Sequence, residues 1–197
     1  MIKYMTSGIA VLANTSCSVA SYHLFPHVQI RVAVWQNPWL TYENQGYQIV
    51  QGLMALAAGG LFGTGLGLGM PTVVPAYATD YIFTSIGEEF GILIAIFVIL
   101  FYLIFIVRGV LIALNAYSRF DALLVFGCCA MLALQSFIII GGVIKLIPLT
   151  GITLPFVSAG GSSMLSSMIQ LGVIEGIAVK NGRRDEMSLK EMDGVLE

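Results

Sequence analysis

Residues 90–107 read FGILIAIFVILFYLIFIV, a run without any charged or amide side chain. Roughly 20 apolar helical residues are enough to cross the hydrocarbon core of a bilayer, which is about 30 Å thick. The run therefore predicts a membrane-spanning helix over 90–112, in which Arg108 lies near the end. This stretch alone places the chain among helical membrane proteins.

The composition of the whole chain agrees with that class. Of its 197 residues, 57% are hydrophobic and only 10% are charged, whereas about 25% are charged in an ordinary soluble domain. The mean hydropathy is +0.89, so there is too little polar surface to cover a water-soluble particle. A net charge of -2 supplies no basic field for phosphate-rich partners, which argues against nucleic-acid binding. The cysteines show no metal-ligand spacing.

Three other segments are predicted as spans, over about 5–25, 122–144 and 156–178. The first is interrupted by polar side chains and needs neighbouring helices; a signal peptide is the alternative for this stretch. The last is rich in serine and glycine, which favours close packing against other helices. We therefore predict an all-α polytopic membrane protein with about four transmembrane helices, in a membrane domain over 1–180.

The basic residues predict the orientation of the chain. Cytoplasmic loops carry an excess of Lys and Arg, and only Arg31 and Lys145 fall on the opposite side if the segment 5–25 runs outward. The charged tail over 181–197 is then cytoplasmic, and a long loop over about 29–86 is exoplasmic. This loop is too apolar to be solvated and too rich in glycine to span. We expect it to form short interfacial or re-entrant helices, one of them around 47–61.

Asp80 is a candidate functional residue because an acid at the edge of a span costs free energy unless it is solvated in a cavity or paired. Capping of the next helix is an equally good explanation. For Glu88, complementing the helix dipole is the favoured explanation from the residues alone. The glycine run over 60–69 lacks the Gly-Lys-Ser/Thr ending of a nucleotide loop, so we attribute its glycines to tight backbone packing.

Several motifs occur together in a fixed order: GGLFGTGLG at 59–67, TDYIF at 79–83, GEEFG at 87–91, IPLTGITLPFVS at 147–158 and GGSS at 160–163. As a set they resemble the SEDS family of cell-shape, division and sporulation proteins, of the RodA, FtsW and SpoVE type. The resemblance covers essentially the whole chain. Two positions depart from the family pattern, because Ala78 and Ala159 stand where many members have histidine and tyrosine.

The resemblance implies a ten-helix fold similar to the GT-C glycosyltransferases, of which this chain would be the C-terminal portion. Members polymerise lipid II, the lipid-linked disaccharide of bacterial cell walls, and release undecaprenyl pyrophosphate. The aspartate of their shared pattern, the essential carboxylate, falls on Asp80 and would act as general base. The chain would then be a truncated C-terminal half, which we do not expect to act alone. A multi-pass protein of the bacterial cytoplasmic membrane is implied, with its active face exoplasmic.

The resemblance also suggests groups for substrate binding. Arg31 and Lys145, or a divalent cation such as Mg²⁺ or Mn²⁺, would offset the charge of the pyrophosphate. Backbone N–H groups at the start of the last helix would suit a phosphate, and the glycine-rich approach would admit the polyprenyl tail. The remaining candidates for substrate contact are Gly65, Glu88, Ser158, Gly160, Gly161 and Ser162.

Implied partners are the bilayer, lipid II, the polyprenyl-linked glycan and a class B penicillin-binding protein. Two alternatives to catalysis remain open from the sequence. One is a transporter of the lipid-linked precursor, in which Asp80 would line a translocation path. The other is a non-catalytic membrane subunit that binds the penicillin-binding protein.

Overall fold

A computed structural model describes residues 26–43 and 46–195, and all regular secondary structure within these ranges is helical. The predicted span over 5–25 lies outside the described residues. Two short 3-10 helices, Pro38–Thr41 and Pro71–Val73, lie between the α-helices. The α-helices are α1 (Pro26–Gln36), α2 (Gly46–Gly59), α3 (Ile82–Leu114), α4 (Arg119–Val143) and α5 (Gly161–Val195).

Among the described residues, three helices are long and apolar enough to cross a membrane: α3, α4 and the part of α5 over Gly161–Arg184. Helix α3 begins at Ile82, earlier than the predicted start of the span at residue 90. Its backbone is broken at Gly91, where φ is 83° and ψ is 173°. The break separates a short first segment from a straight apolar one, and it falls where the sequence had placed the start of the span.

The last helix differs from its prediction at both ends. It begins at Gly161 instead of about 156, because Phe156 has a φ of 63°, which an α-helix cannot contain. It continues to Val195 through the segment predicted as a charged tail. Glu186 and Lys190 are four residues apart there, a spacing at which opposite charges stabilise an exposed helix.

The segment predicted as an exoplasmic loop over 29–86 contains most of α1 and all of α2. The interfacial helix expected around 47–61 corresponds to α2, Gly46–Gly59. Helix α1 begins at Pro26. Proline interrupts a helix that precedes it, but it is compatible with the first turn of a helix that follows.

The break in α3 is filled by the glycine-rich loop that follows α2. The N–H of Ile92 donates to the carbonyl of Gly60 at 3.0 Å, and the N–H of Thr64 donates to the carbonyl of Glu88 at 2.9 Å. A side chain at Gly63 or Gly91 would collide with the backbone of the other segment. Glycine is therefore required at both positions for close contact between the two backbones. The hydrogen bonds between the loop and α3 also satisfy backbone N–H and carbonyl groups that the break would leave unpaired.

Helices α3 and α4 pack against each other closely, with the sulfur of Cys129 against the backbone of Gly109. The Tyr102 hydroxyl of α3 donates to the carbonyl of Pro155. From α4, the side-chain amide of Gln135 donates to the carbonyl of Thr153 at 2.9 Å. These two bonds fasten the connection between α4 and α5 to the helix pair, and this connection forms one wall of the site described below.

At the other end of the helices, α5 is fastened to the first turn of α4 and to the connection that precedes it. The Lys180 ammonium lies 2.6 Å from a carboxylate oxygen of Asp121. The guanidinium of Arg184 lies 5.5 Å from the centre of the Tyr117 ring, within the range of a cation–π contact. Most of the basic residues beyond α1 are therefore concentrated at this end, away from the site.

Candidate functional site

A cavity of about 370 Å³ lies between α1, α2, the turn before α3 and the connection between α4 and α5. Asp80 is the carboxylate that lines it, and Arg31 is its guanidinium. The remaining lining residues are His27, Ile30, Val34, Gln48, Ile49, Leu149 and Gly151. Segments that are far apart in the chain thus bring one carboxylate and one guanidinium to the same cavity.

The turn that carries Asp80 is built from local hydrogen bonds. The N–H groups of Thr79 and Tyr81 both donate to the carbonyl of Ala76, at 3.1 and 3.2 Å. Ala76 itself has a φ of 57°, a left-handed conformation that costs a non-glycine residue free energy. The turn therefore relies on the surrounding structure to hold it.

Ser158 supplies much of that support. Its buried hydroxyl donates to the carbonyl of Thr79 at 2.6 Å and accepts from the N–H of Leu154 at 2.8 Å. The N–H of Ala159 donates to the carbonyl of Ala78 at 2.8 Å. The connection before α5 thus holds the backbone of the two residues that precede Asp80. Ser158, predicted to contact substrate, holds the backbone next to Asp80 in the structure.

The Asp80 side chain is half-buried and lies against the backbone of Gly151, where a β-carbon would be 3.5 Å from Oδ2. The cap residue of α3 is Tyr81, and no side chain caps the helix, so the structure does not give Asp80 the capping role that the sequence had left open. The one ion pair within 4.0 Å among the described residues is Lys180–Asp121. Asp80 and Arg31 therefore face the same cavity without neutralising each other.

Tyr81, the residue after Asp80, is an uncharged and buried side chain. It is 1% exposed, and its ring packs against Gly52 of α2, where any side chain would collide with it. Burial, reinforced by the charge of Asp80, raises the pKa of the Tyr81 phenol above its ordinary value. The phenol therefore stays protonated beside Asp80.

Arg31 is fixed by a hydrogen bond from Nη1 to the carbonyl of Leu149, at 3.1 Å. Next to it on α1, the indole N–H of Trp35 donates to the carbonyl of Lys145 at 3.0 Å. Lys145, which has a φ of 64°, directs its ammonium toward the carbonyl of Gln36 at 3.5 Å. The structure therefore places Arg31 in the cavity, whereas Lys145 fastens the end of α1 outside it.

Gly65 and Glu88 belong to the break in α3 and do not line the cavity. The N–H of Gly65 donates to the carbonyl of Glu89 at 3.0 Å. The Glu88 carboxylate is buried, and its Oε1 accepts from the N–H of Met70 at 3.0 Å. Both residues hold the glycine-rich loop against α3. Tight packing was the explanation that the sequence favoured for the glycine, whereas Glu88 was expected to complement the helix dipole.

Gly160 and Ser162 line a separate, shallow basin of about 500 Å³, and Gly161 is the first residue of α5 beside it. Hydroxyl groups dominate this basin; the Thr153 hydroxyl donates to that of Ser163 at 2.6 Å. Gly151 lines both the basin and the Asp80 cavity. Of the predicted site residues, Asp80 and Arg31 therefore line the cavity and Gly160 and Ser162 line the neighbouring basin.

His27, Gln48 and Gly151 line the cavity but were not predicted as site residues. The sequence predicted no role for Gln48. In the structure its side-chain amide donates to the carbonyl of Pro75 at 3.0 Å, which ties α2 to the turn before Asp80. His27 follows His23 by four residues in the sequence, a spacing that suits metal ligands only within one continuous helix, and Pro26 between them argues against that. Gly151 lies in the motif at 147–158 and had no predicted role.

These observations define a multi-pass helical membrane protein whose broken helix and stiff connections build a cavity around an unpaired carboxylate. The sequence profile of the FtsW, RodA and SpoVE family, described as cell cycle proteins, matches residues 2–183. The chain belongs to this family, and it is therefore a multi-pass bacterial membrane protein.

Relatives with established names agree with this assignment. The chain is 44% identical over 176 residues to peptidoglycan glycosyltransferase RodA of Mycobacterium tuberculosis (strain H37Rv), covering 89% of this chain and 37% of the relative. It is 39% identical over 150 residues to stage V sporulation protein E of Bacillus subtilis (strain 168), covering 75% of this chain and 41% of the relative. The chain thus spans about two fifths of the length of these relatives.

A solved structure shows the same fold. One chain of a peptidoglycan synthase complex, studied for how it coordinates polymerization and crosslinking, matches with a TM-score of 0.70 and 22% sequence identity. The match covers 91% of this chain and 49% of that chain.

Proposed function

We propose that this chain is the carboxylate-bearing part of a peptidoglycan glycosyltransferase that polymerises lipid II, with Asp80 as general base. The observation that carries the proposal is the unpaired Asp80 in a cavity that also contains Arg31. The relatives named as peptidoglycan glycosyltransferases support the reaction class.

The reaction needs a base because a sugar hydroxyl is a poor nucleophile near neutral pH. The acceptor hydroxyl oxygen forms a bond to the anomeric carbon of the growing chain. The bond from that carbon to the pyrophosphate oxygen breaks, and undecaprenyl pyrophosphate leaves with the electron pair. Asp80 accepts the hydroxyl proton during this step. A carboxylate in this role accelerates such a step by roughly 10²- to 10⁴-fold.

Arg31 complements this chemistry because negative charge grows on the leaving pyrophosphate. The Arg31 guanidinium is already held in place by its hydrogen bond to the carbonyl of Leu149, so it can stabilise the negative charge without first changing its position. Lys145 contributes through α1, which it fastens, and not by direct contact. Gly160, Gly161 and Ser162 would meet a second sugar or phosphate from the neighbouring basin.

A divalent cation held by the Asp80 carboxylate and a substrate phosphate stays a prediction from the sequence. Mg²⁺ sites in proteins use one or two carboxylates together with substrate phosphates. Within the described ranges, no group of three or more His, Cys, Asp or Glu side chains converges on one point, and Asp80 is needed as a base. We assign charge neutralisation to Arg31 and derive no step through a metal.

The cavity is too small for two lipid-linked disaccharides. We propose that the part of the relatives that this chain does not match completes the walls, so that activity belongs to the complete assembly. The active face is assigned as exoplasmic because the basic cluster of α5 lies at the opposite end of the helices. A class B penicillin-binding protein is the proposed partner, in line with the similarity to a chain of a synthase complex.

The test is polymer formation from fluorescent lipid II by a chimera. In this chimera, the present chain replaces the matching region of RodA from Mycobacterium tuberculosis, to which it is 44% identical. We expect glycan strands from the chimera and none from Asp80→Asn. The control is Glu43→Gln, which removes an exposed carboxylate outside the cavity. Movement of lipid II across vesicles without polymer would instead support a transporter. Binding of the penicillin-binding protein with neither activity would support a non-catalytic subunit.

A further inference from the structure

The glycine-rich loop that fills the break in α3 carries large apolar side chains that the rest of the chain does not bury. Four of them are between 71% and 81% exposed: Phe62, Leu66, Leu68 and Met70. From residue 44 to residue 79 the sequence contains no charged side chain. Single exposed apolar residues are ordinary, but four large ones in one short uncharged loop indicate an interaction surface.

The backbone of this loop is satisfied by protein. Five of its N–H groups donate to carbonyl or carboxylate oxygens, those of Gly63, Thr64, Gly65, Leu68 and Met70. Three of these hydrogen bonds reach Glu88 or Glu89 of α3. Irregular backbone is tolerated at membrane depth only where protein supplies its partners. The loop meets this requirement while its apolar side chains stay exposed.

The points of attachment place the loop at one end of the membrane span. The uncharged run of α3 from Phe90 to Val107 has 18 residues, and a helix of that length measures about 27 Å, close to the roughly 30 Å of the hydrocarbon core. The loop is hydrogen-bonded to α3 between Glu88 and Leu93, where this run begins. Ile92 and Leu93 are 50% and 51% exposed, as side chains that face lipid are. The apolar side chains of the loop therefore adjoin the lipid-facing surface of the span.

We propose that the glycine-rich loop over 60–70 inserts its exposed apolar side chains into the lipid leaflet on the side of the membrane where the Asp80 cavity lies. These side chains then leave water, while the loop backbone keeps its partners in α3. Lipid is favoured over a polypeptide because the adjoining surface of α3 faces lipid. The loop also lacks the polar and charged rim that surrounds the apolar centre of a protein interface. This insertion does not depend on the chemistry of Asp80.

Photo-crosslinking identifies what lies against the loop. The chimera is reconstituted into nanodiscs of phosphatidylglycerol and phosphatidylethanolamine. Phe62 or Leu66 is replaced by p-benzoylphenylalanine, which bonds to nearby C–H groups on illumination. We expect a mass increase of one phospholipid at both positions. Phe97, 62% exposed within the span, is the positive control, and Lys190, beyond the span, is the negative control. A bond to polypeptide, or no lipid adduct where Phe97 gives one, would overturn the proposal.

Thermal unfolding tests whether contact with lipid stabilises the loop. Leu66→Gln and Leu68→Gln each put an amide where the proposal places hydrocarbon, so each lowers the Tm of the chimera in nanodiscs by at least about 2 °C. Met187→Gln is the matched control, because Met187 is 57% exposed beyond the span, and it leaves the Tm unchanged. Wild-type Tm values in both leucine variants would mean that the loop faces water, which contradicts the insertion. Asp80→Asn tests the proposed function separately, since it leaves the lipid adduct unchanged.

Discussion

Replacing Ser158 by alanine tests whether the connection before α5 holds Asp80 in place. The wild-type hydroxyl makes two hydrogen bonds, one to the carbonyl of Thr79 and one from the buried N–H of Leu154. Alanine leaves both backbone groups without this partner. A buried group left unpaired costs about 1–3 kcal/mol, and the part-buried carbonyl adds roughly 1 kcal/mol. The expected loss is therefore about 2–4 kcal/mol.

This loss is measurable as thermal unfolding of the purified chain in detergent. At roughly 2–4 °C for each kcal/mol, the Tm of Ser158→Ala falls by roughly 4–16 °C. Ser166→Ala is the matched control, since its exposed hydroxyl donates to the carbonyl of Ser163 at 3.0 Å, and we expect a change of at most about 0.5 kcal/mol.

The same substitution loosens the Asp80 turn in the chimera. A displacement of about 1 Å at a reacting group costs roughly 10²-fold in rate, so polymerisation by Ser158→Ala falls accordingly. If Ser158→Ala unfolds at the wild-type temperature, the two hydrogen bonds do not support the turn, and the positioning role of this serine is refuted.

Three further predictions concern the fold. Gly91→Ala lowers the free energy of unfolding by at least about 3 kcal/mol, because φ is 83° there and a side chain would collide with the glycine-rich loop. Gly127→Ala is the control, since nothing lies close to this position. Thermal unfolding measures both variants, and equal Tm values would contradict the prediction. A double-mutant cycle on Lys180 and Asp121 gives a coupling of about 1 kcal/mol that weakens with salt, and a coupling of zero would contradict it. Because the pKa of Tyr81 is raised above 10.0, the folded chain keeps this proton after the unfolded chain loses it; stability therefore falls as the pH rises above 10, and Tyr81→Phe flattens that fall.

Hydrophobic runs predicted the membrane helices because they depend on local composition. Residues 90–107 gave α3 its span, and the break at Gly91 lies one residue inside that run. The first segment of α3 was not foreseen, since its stability comes from packing on α2 and on the glycine-rich loop. The end of α5 was also missed, because charge density alone does not distinguish an exposed helix from an irregular tail.

For the candidate site, too, the sequence predicted only what depends on local composition. Asp80 was singled out by the cost of an acid near the membrane, and Arg31 by its charge on the same side. The positions of Lys145 and Ser158 depend on contacts between segments more than 70 residues apart in the chain. No local pattern indicates such contacts, so the sequence could not predict that these two residues support the backbone around the site.

The polymerisation rate of the Asp80→Asn chimera tests the central claim most directly. Asparagine keeps the size of the side chain beside Gly151 but cannot take a proton, so we predict a fall in kcat of roughly 10²- to 10⁴-fold with an unchanged Tm. The measurement is the initial rate of glycan formation from fluorescent lipid II at saturating substrate, against Glu43→Gln as control. A rate within a few-fold of the wild-type chimera would contradict the assignment of Asp80 as the general base.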